Sequence, residues 1–129
     1  MGGFPESNFI RFWFPVIAYS GIIFIASSIP SVQAPLSEFG FDKVIHILEY
    51  TPFGFLVARA VSATATAISP RRLVVWVVLL SFAYAASDEI HQFFVPGRNA
   101  GMADLIASTV GGTVGGYLFL FLFRNNAGK

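Results

Sequence analysis

Polar side chains along this chain come in bursts, and between the bursts run four apolar stretches, at about residues 9–28, 44–63, 73–95 and 102–123. Each approaches the ~20 apolar residues a helix needs to cross the hydrocarbon core of a bilayer. Open strands would leave backbone N–H and C=O groups unsatisfied in lipid, so the pattern predicts helices. The expected fold class is all-α, a polytopic membrane protein built as a four-transmembrane-helix bundle. Phe12 and Trp13 open the first stretch as interfacial anchors. Val32-Gln33-Ala34 loosely resembles a signal-peptide cleavage site. The apolar run before it exceeds the usual ~7–15 residues, however, so the first stretch is read as a span.

The connections carry the turn chemistry. Pro30 and Pro35 bracket the first polar connection, which ends at Asp42 and Lys43. The second, near residues 64–72, holds Pro70 and the pair Arg71-Arg72. The third is the short turn Pro96-Gly97-Arg98-Asn99, where proline and glycine end one helix and reverse the chain. A turn that short makes the third and fourth helices antiparallel neighbours. Arg11, Arg59, Arg71, Arg72, Arg124 and Lys129 fall at the termini and second connection, against only Lys43 and Arg98 at the other two. By the positive-inside rule both termini are expected in the cytoplasm and the first and third connections outside. The chain is thus expected to be a multi-pass protein of the cell membrane.

Composition narrows the class further. Of 129 residues, 55% are hydrophobic and 12% charged, about half the ~25% charge of a soluble domain. The length suits a single domain over residues 1–129. A net charge of +1 without a basic cluster excludes a nucleic-acid footprint. The absence of cysteine excludes disulfides, thiolate nucleophiles and thiolate metal sites.

Against this background the stretch Ser87–Ser108 is anomalous, because it places Asp88, Glu89, His91, Gln92, Arg98 and Asp104 among membrane spans. Ionisable side chains are rare in such segments and usually functional. The predicted topology brings three groups to one side. Asp42, Lys43, His46, Glu49 and Tyr50 open the second helix there, Asp88 to Gln92 close the third, and Asp104 and Ser108 open the fourth. At a rise of 1.5 Å per residue, Asp88 lies roughly 12 Å below the Pro96 turn and His46 about 6 Å below Asp42. Polar contacts between helices contribute only ~0.6–2 kcal/mol, whereas an ionised carboxylate at mid-helix costs about 2.5–3.5 kcal/mol. Four such acids, Glu49, Asp88, Glu89 and Asp104, are therefore read as a site and not as helix glue.

Roles follow from chemistry. Asp88 and Glu89 are adjacent acids near a helix C-terminus, and suit a shared proton and general-acid work. His46 is a candidate base or nucleophile, and Asp104 shares the catalytic set or caps its helix. Arg98 and Lys43 suit a phosphate, while Tyr50 and Gln92, with Asp42, are hydrogen-bonding partners of the substrate site. His91 lies at the edge of that face. No cofactor is expected: two histidines and four acids carry donors for a divalent ion, but no HExxH-like spacing is present. Gly111, Gly112, Gly115 and Gly116 form overlapping GxxxG patterns. These suit close helix approach, either inside the bundle or in a homodimer through the Gly111–Gly116 face.

Asp42-Lys43-x-x-His46-x-x-x-Tyr50, Asp88-Glu89-x-x-Gln92, Pro96-Gly97-Arg98 and Asp104 with the glycine-rich helix together resemble the VanZ-like membrane protein family. The resemblance covers about residues 40–120. It departs from the family at Ser108, where an asparagine usually follows four residues after the aspartate. The family is named for a member associated with resistance to the glycopeptide teicoplanin. A proposed kinship with lipid-modifying enzymes implies chemistry on phospholipid head groups or lipid-carrier phosphates.

The expected function is an intramembrane enzyme acting on a phosphate-linked lipid at the outer leaflet, with a membrane lipid as partner. The alternatives are a small lipid or ion transporter or flippase, and a non-catalytic membrane scaffold.

Overall fold

The protein is described here from a computed structural model covering residues 6–30 and 41–124. Val32-Gln33-Ala34 and Pro35 of the first connection, and Lys129, lie outside these residues. Among these residues four helices follow in order: α1 (Glu6–Ser28), α2 (Phe41–Thr64), α3 (Pro70–Phe93) and α4 (Met102–Phe119), the last running into a π-helical turn at Leu120–Arg124. All four, α4 counted with its π turn, are long and apolar enough to cross a membrane. There is no strand among the described residues.

Local signals move the ends by about a turn from those read in the apolar runs. The Ser69 side chain accepts from the Arg72 N–H and caps α3, with Pro70 supplying a helix-ready φ in the first position. Arg71 and Arg72 therefore sit in the first turn of α3, not in the connection. At the other end α3 stops at Phe93, because Val95 precedes Pro96 and such a residue disfavours helix. Gly97, at φ 78°, supplies the left-handed backbone conformation that reverses the chain.

Each helix buries one stripe and turns bulky apolar residues outward. On α2 the stripe runs through His46, Tyr50, Phe53, Gly54, Val57, Ala58 and Val61. On α3 it runs through Leu73, Val77, Ser81, Ala85, Asp88 and Gln92. Phe14, Ile17, Leu48, Trp76, Ile90 and Phe121 are among the many large side chains left exposed. Such a surface is adapted to lipid and would aggregate in water. Along both stripes residue type changes from apolar to polar toward one end of the bundle, so the same packing that builds the core also gathers the site.

The glycines of α4 are spent inside the bundle. A Cβ on Gly111 would strike the Ile47 backbone, one on Gly115 the Thr51 and Phe55 backbones, and one on Gly54 the Gly112 backbone. On the adjacent α4 face, Gly112 and Gly116 admit Ser81 and Val77 of α3. Of the two uses open to the Gly111–Gly116 pattern, close approach inside the bundle is thus the one seen, with α2 and α3 against these glycines. α1 sits more peripherally, burying only Val16, Ile23 and Ser27. Trp13 bonds to Thr64 Oγ1 (2.8 Å), Tyr19 to the Glu49 carbonyl (2.6 Å), and Tyr84 to the Ser20 carbonyl (2.5 Å).

Arg98 secures the other end of α1. Its Nε donates to the Ile29 carbonyl (3.1 Å) and Nη2 to the Ala26 carbonyl (2.8 Å). Those carbonyls end a helix, where a cation is favoured. Arg98→Ala is expected to lower stability by about 1 kcal/mol, the scale of lost bonds from a charged donor near the surface. Denaturation midpoints in detergent check this, and an unchanged midpoint would deny Arg98 a capping role.

Candidate functional site

Three helices contribute buried ionisable groups to one end of the bundle: His46 from α2, Glu89 from α3 and Asp104 from α4. They are exposed by only 8%, 9% and 6% respectively. One ligand-type atom from each lies within 4.8 Å of the others. The close approach of α2 and α4 across glycine makes this meeting geometrically available, because it brings the first turns of both helices side by side.

Each member is oriented by a second contact. His46 Nδ1 pairs with Ser108 Oγ (3.3 Å), which leaves Nε2 facing Asp104 Oδ1 at 3.9 Å. Glu89 Oε2 accepts from the Gly101 backbone N–H (3.0 Å) at the entry to α4. Asp104 Oδ1 takes the Lys43 ammonium, which also reaches Asp42 Oδ2 at 2.5 Å. Lys43 and Asp42 are half-exposed at the rim, with the buried groups beneath.

Asp88 belongs to a neighbouring network. Its Oδ2 accepts from the Tyr50 hydroxyl (3.2 Å) and from Gln92 Nε2 (3.1 Å), and Gln92 in turn donates to Ser27 Oγ (3.2 Å). Asp88 Oδ1 is buried without a hydrogen-bond partner among the described residues. An unmet buried carboxylate oxygen costs free energy unless a proton or another ligand meets it.

The expected single Asp88/Glu89 acid pair is therefore divided. Adjacent residues on a helix diverge by about 100°, so Asp88 faces α1 and α2 while Glu89 faces the start of α4. Arg98, the expected phosphate ligand, gives two of its donor nitrogens to α1 carbonyls. Asp42, Lys43, His46 and Asp104 come together, and Tyr50, Asp88 and Gln92 form the second group. His91, at the edge, meets Ser28 Oγ (2.8 Å) and stacks on Phe24.

An apolar groove of about 420 Å³ opens beside Glu89, lined also by Ile90, Phe93, Phe94, Met102 and Leu105. It lies between the end of α3 and the start of α4 and opens to the outside of the bundle. Polar cluster and apolar slot meet at one carboxylate.

A family model described as VanZ/LLP1 matches residues 4–124. The chain belongs to the VanZ/LLP1 family. No curated protein and no solved structure matches it. The VanZ/LLP1 match takes in α1, which the motif resemblance over residues 40–120 left out, and α1 supplies Ser27 and Ser28 to the polar end. Sequence reading passed over both serines, because two small hydroxyls at the end of an apolar run barely change its hydropathy. Their one signal was position: they close the first span on the same side as Asp88 and Gln92.

Proposed function

We propose that this VanZ/LLP1 protein is an intramembrane enzyme that hydrolyses or exchanges a phosphate-linked lipid head group at the outer face of the cell membrane. The observation that carries the reading is the meeting of buried His46, Glu89 and Asp104 beside an apolar groove. Lys43, at the rim, suits the lipid phosphate, with an acyl chain in the groove. His46, Glu89 and Asp104 together activate the attacking water, and Asp88 is the proton donor. The water oxygen attacks phosphorus and its proton passes to the cluster. The P–O bond to the leaving group breaks, and the departing oxygen takes the proton of Asp88. Exchange follows the same course with an alcohol in place of water.

The outward orientation is supported by charge. Arg59, Arg71, Arg72 and Arg124 gather at the end of the bundle opposite the cluster, as the positive-inside rule asks of a cytoplasmic face. Head-group chemistry at the outer face also fits the glycopeptide resistance after which the VanZ family is named.

The test incubates purified protein with a bacterial lipid extract and follows products by mass spectrometry beside an Asp88→Asn control. A released or exchanged head group, lost in the control, is the expected result. Well-folded protein that alters neither phospholipids nor polyprenyl phosphates would overturn the reading.

A further inference from the structure

We infer that His46, Glu89 and Asp104 hold one divalent transition-metal ion of the Mn²⁺ or Zn²⁺ class. The inference deepens the proposed function, on which its catalytic meaning rests, by naming what the three residues share.

Three features carry it. The first is convergence: one nitrogen and two carboxylate groups from three helices place ligand atoms within 4.8 Å of one another, all three residues buried. Ligand atoms around an ion with bonds of about 2.1 Å lie about 3 to 3.4 Å apart, so shifts of roughly an ångström at flexible side-chain ends close the shell. The second is preorientation. Ser108 takes His46 Nδ1 and leaves Nε2 toward Asp104, and the Gly101 N–H fixes one oxygen of Glu89 while leaving the other. Metal-binding histidines are commonly held this way through the second ring nitrogen.

The third feature is charge. Asp42, Glu89 and Asp104 are three carboxylates around the single ammonium of Lys43, which forms its ion pairs with Asp42 and Asp104 and, among the described residues, none with Glu89. With all of them ionised the group carries two uncompensated negative charges in a poorly solvated place. A divalent ion matches that excess, with Lys43 remaining on Asp42. Imidazole favours transition metals over Mg²⁺ or Ca²⁺, and mixed oxygen and nitrogen donors suit Mn²⁺ and Zn²⁺. Three protein ligands leave open positions, as in catalytic sites, and an ion there lowers the pKa of bound water.

The experiment uses tag-free, chelator-treated protein in detergent without added lipid, titrated with Mn²⁺ and followed by electron paramagnetic resonance. One ion per chain is expected, with coupling to an imidazole nitrogen. The chain has two histidines, so coupling that persists in His91→Gln identifies His46 without altering the site. Glu89→Gln should weaken binding at least tenfold, and Glu6→Gln, in the first turn of α1, should leave it unchanged. No stoichiometric Mn²⁺, absent imidazole coupling, or coupling lost in folded His91→Gln would overturn the inference. Head-group turnover by protein that binds no Mn²⁺ would overturn it while leaving the proposed function standing. Bound Mn²⁺ without lipid turnover would do the opposite.

Discussion

Gly115→Val forces α2 and α4 apart. A side chain at this position meets the Thr51 carbonyl and the Phe55 N–H, both backbone. Overpacking against movable side chains costs ~1–3 kcal/mol. Here two helix backbones must separate, which also loosens the Gly54–Gly112 crossing one turn away. A loss of about 3 kcal/mol or more is expected, enough to leave a marginal bundle largely unfolded or aggregated. Gly21→Val on α1 is the matched comparison, because a Cβ there meets nothing within 4 Å, and stability should hold within about 0.5 kcal/mol. Denaturation of the two variants in the same detergent decides the matter. Equal midpoints would mean that α2 and α4 do not cross at these glycines.

The second large effect concerns chemistry. His46→Ala is expected to lower head-group turnover by about 10²–10⁴-fold, the range supplied by a positioned proton-transfer or water-activating group, while helical content is retained. Ser108→Ala should cost less, roughly tenfold, because its hydroxyl acts on the reaction only by orienting the His46 ring. The contrast is the informative part. Equal losses would place Ser108 at the reacting atoms, and normal turnover by folded His46→Ala would leave the histidine a packing role.

Much of the bundle was legible because apolar runs of about 20 residues have few meanings in a chain this poor in charge. Helix ends were less legible, since they depend on single side chains: Ser69 starts α3 before its apolar run begins, and Pro96 ends it before that run is over. The gathering of Asp42, Lys43, His46 and Asp104 was readable from topology, because two helices that open on the same side bring their first turns together. What stayed hidden was pairwise contact. Nothing in the spacing of Arg98 announces that Ala26 and Ile29, some seventy residues earlier, leave carbonyls within its reach. Helical geometry by itself separates Asp88 from Glu89, yet only their neighbours reveal that one belongs with Tyr50 and the other with the Gly101 N–H. The glycine pattern promised close approach but named no partner, and the partners turn out to be α2 and α3 of the same chain.

The glycine crossing also bears on how the protein is made. Its tightest contact joins the second helix to the fourth, with α3 intervening in sequence, so α2 enters the bilayer before its partner has left the ribosome. Until α4 is made, Lys43 lacks Asp104 and keeps only Asp42 of its own helix, and His46 lacks Ser108. The site is therefore a late product of synthesis: a chain ending after α3 would hold neither the glycine crossing nor the partners of His46 and Lys43 on α4, and only a chain continued through α4 acquires the lock and the site in one step.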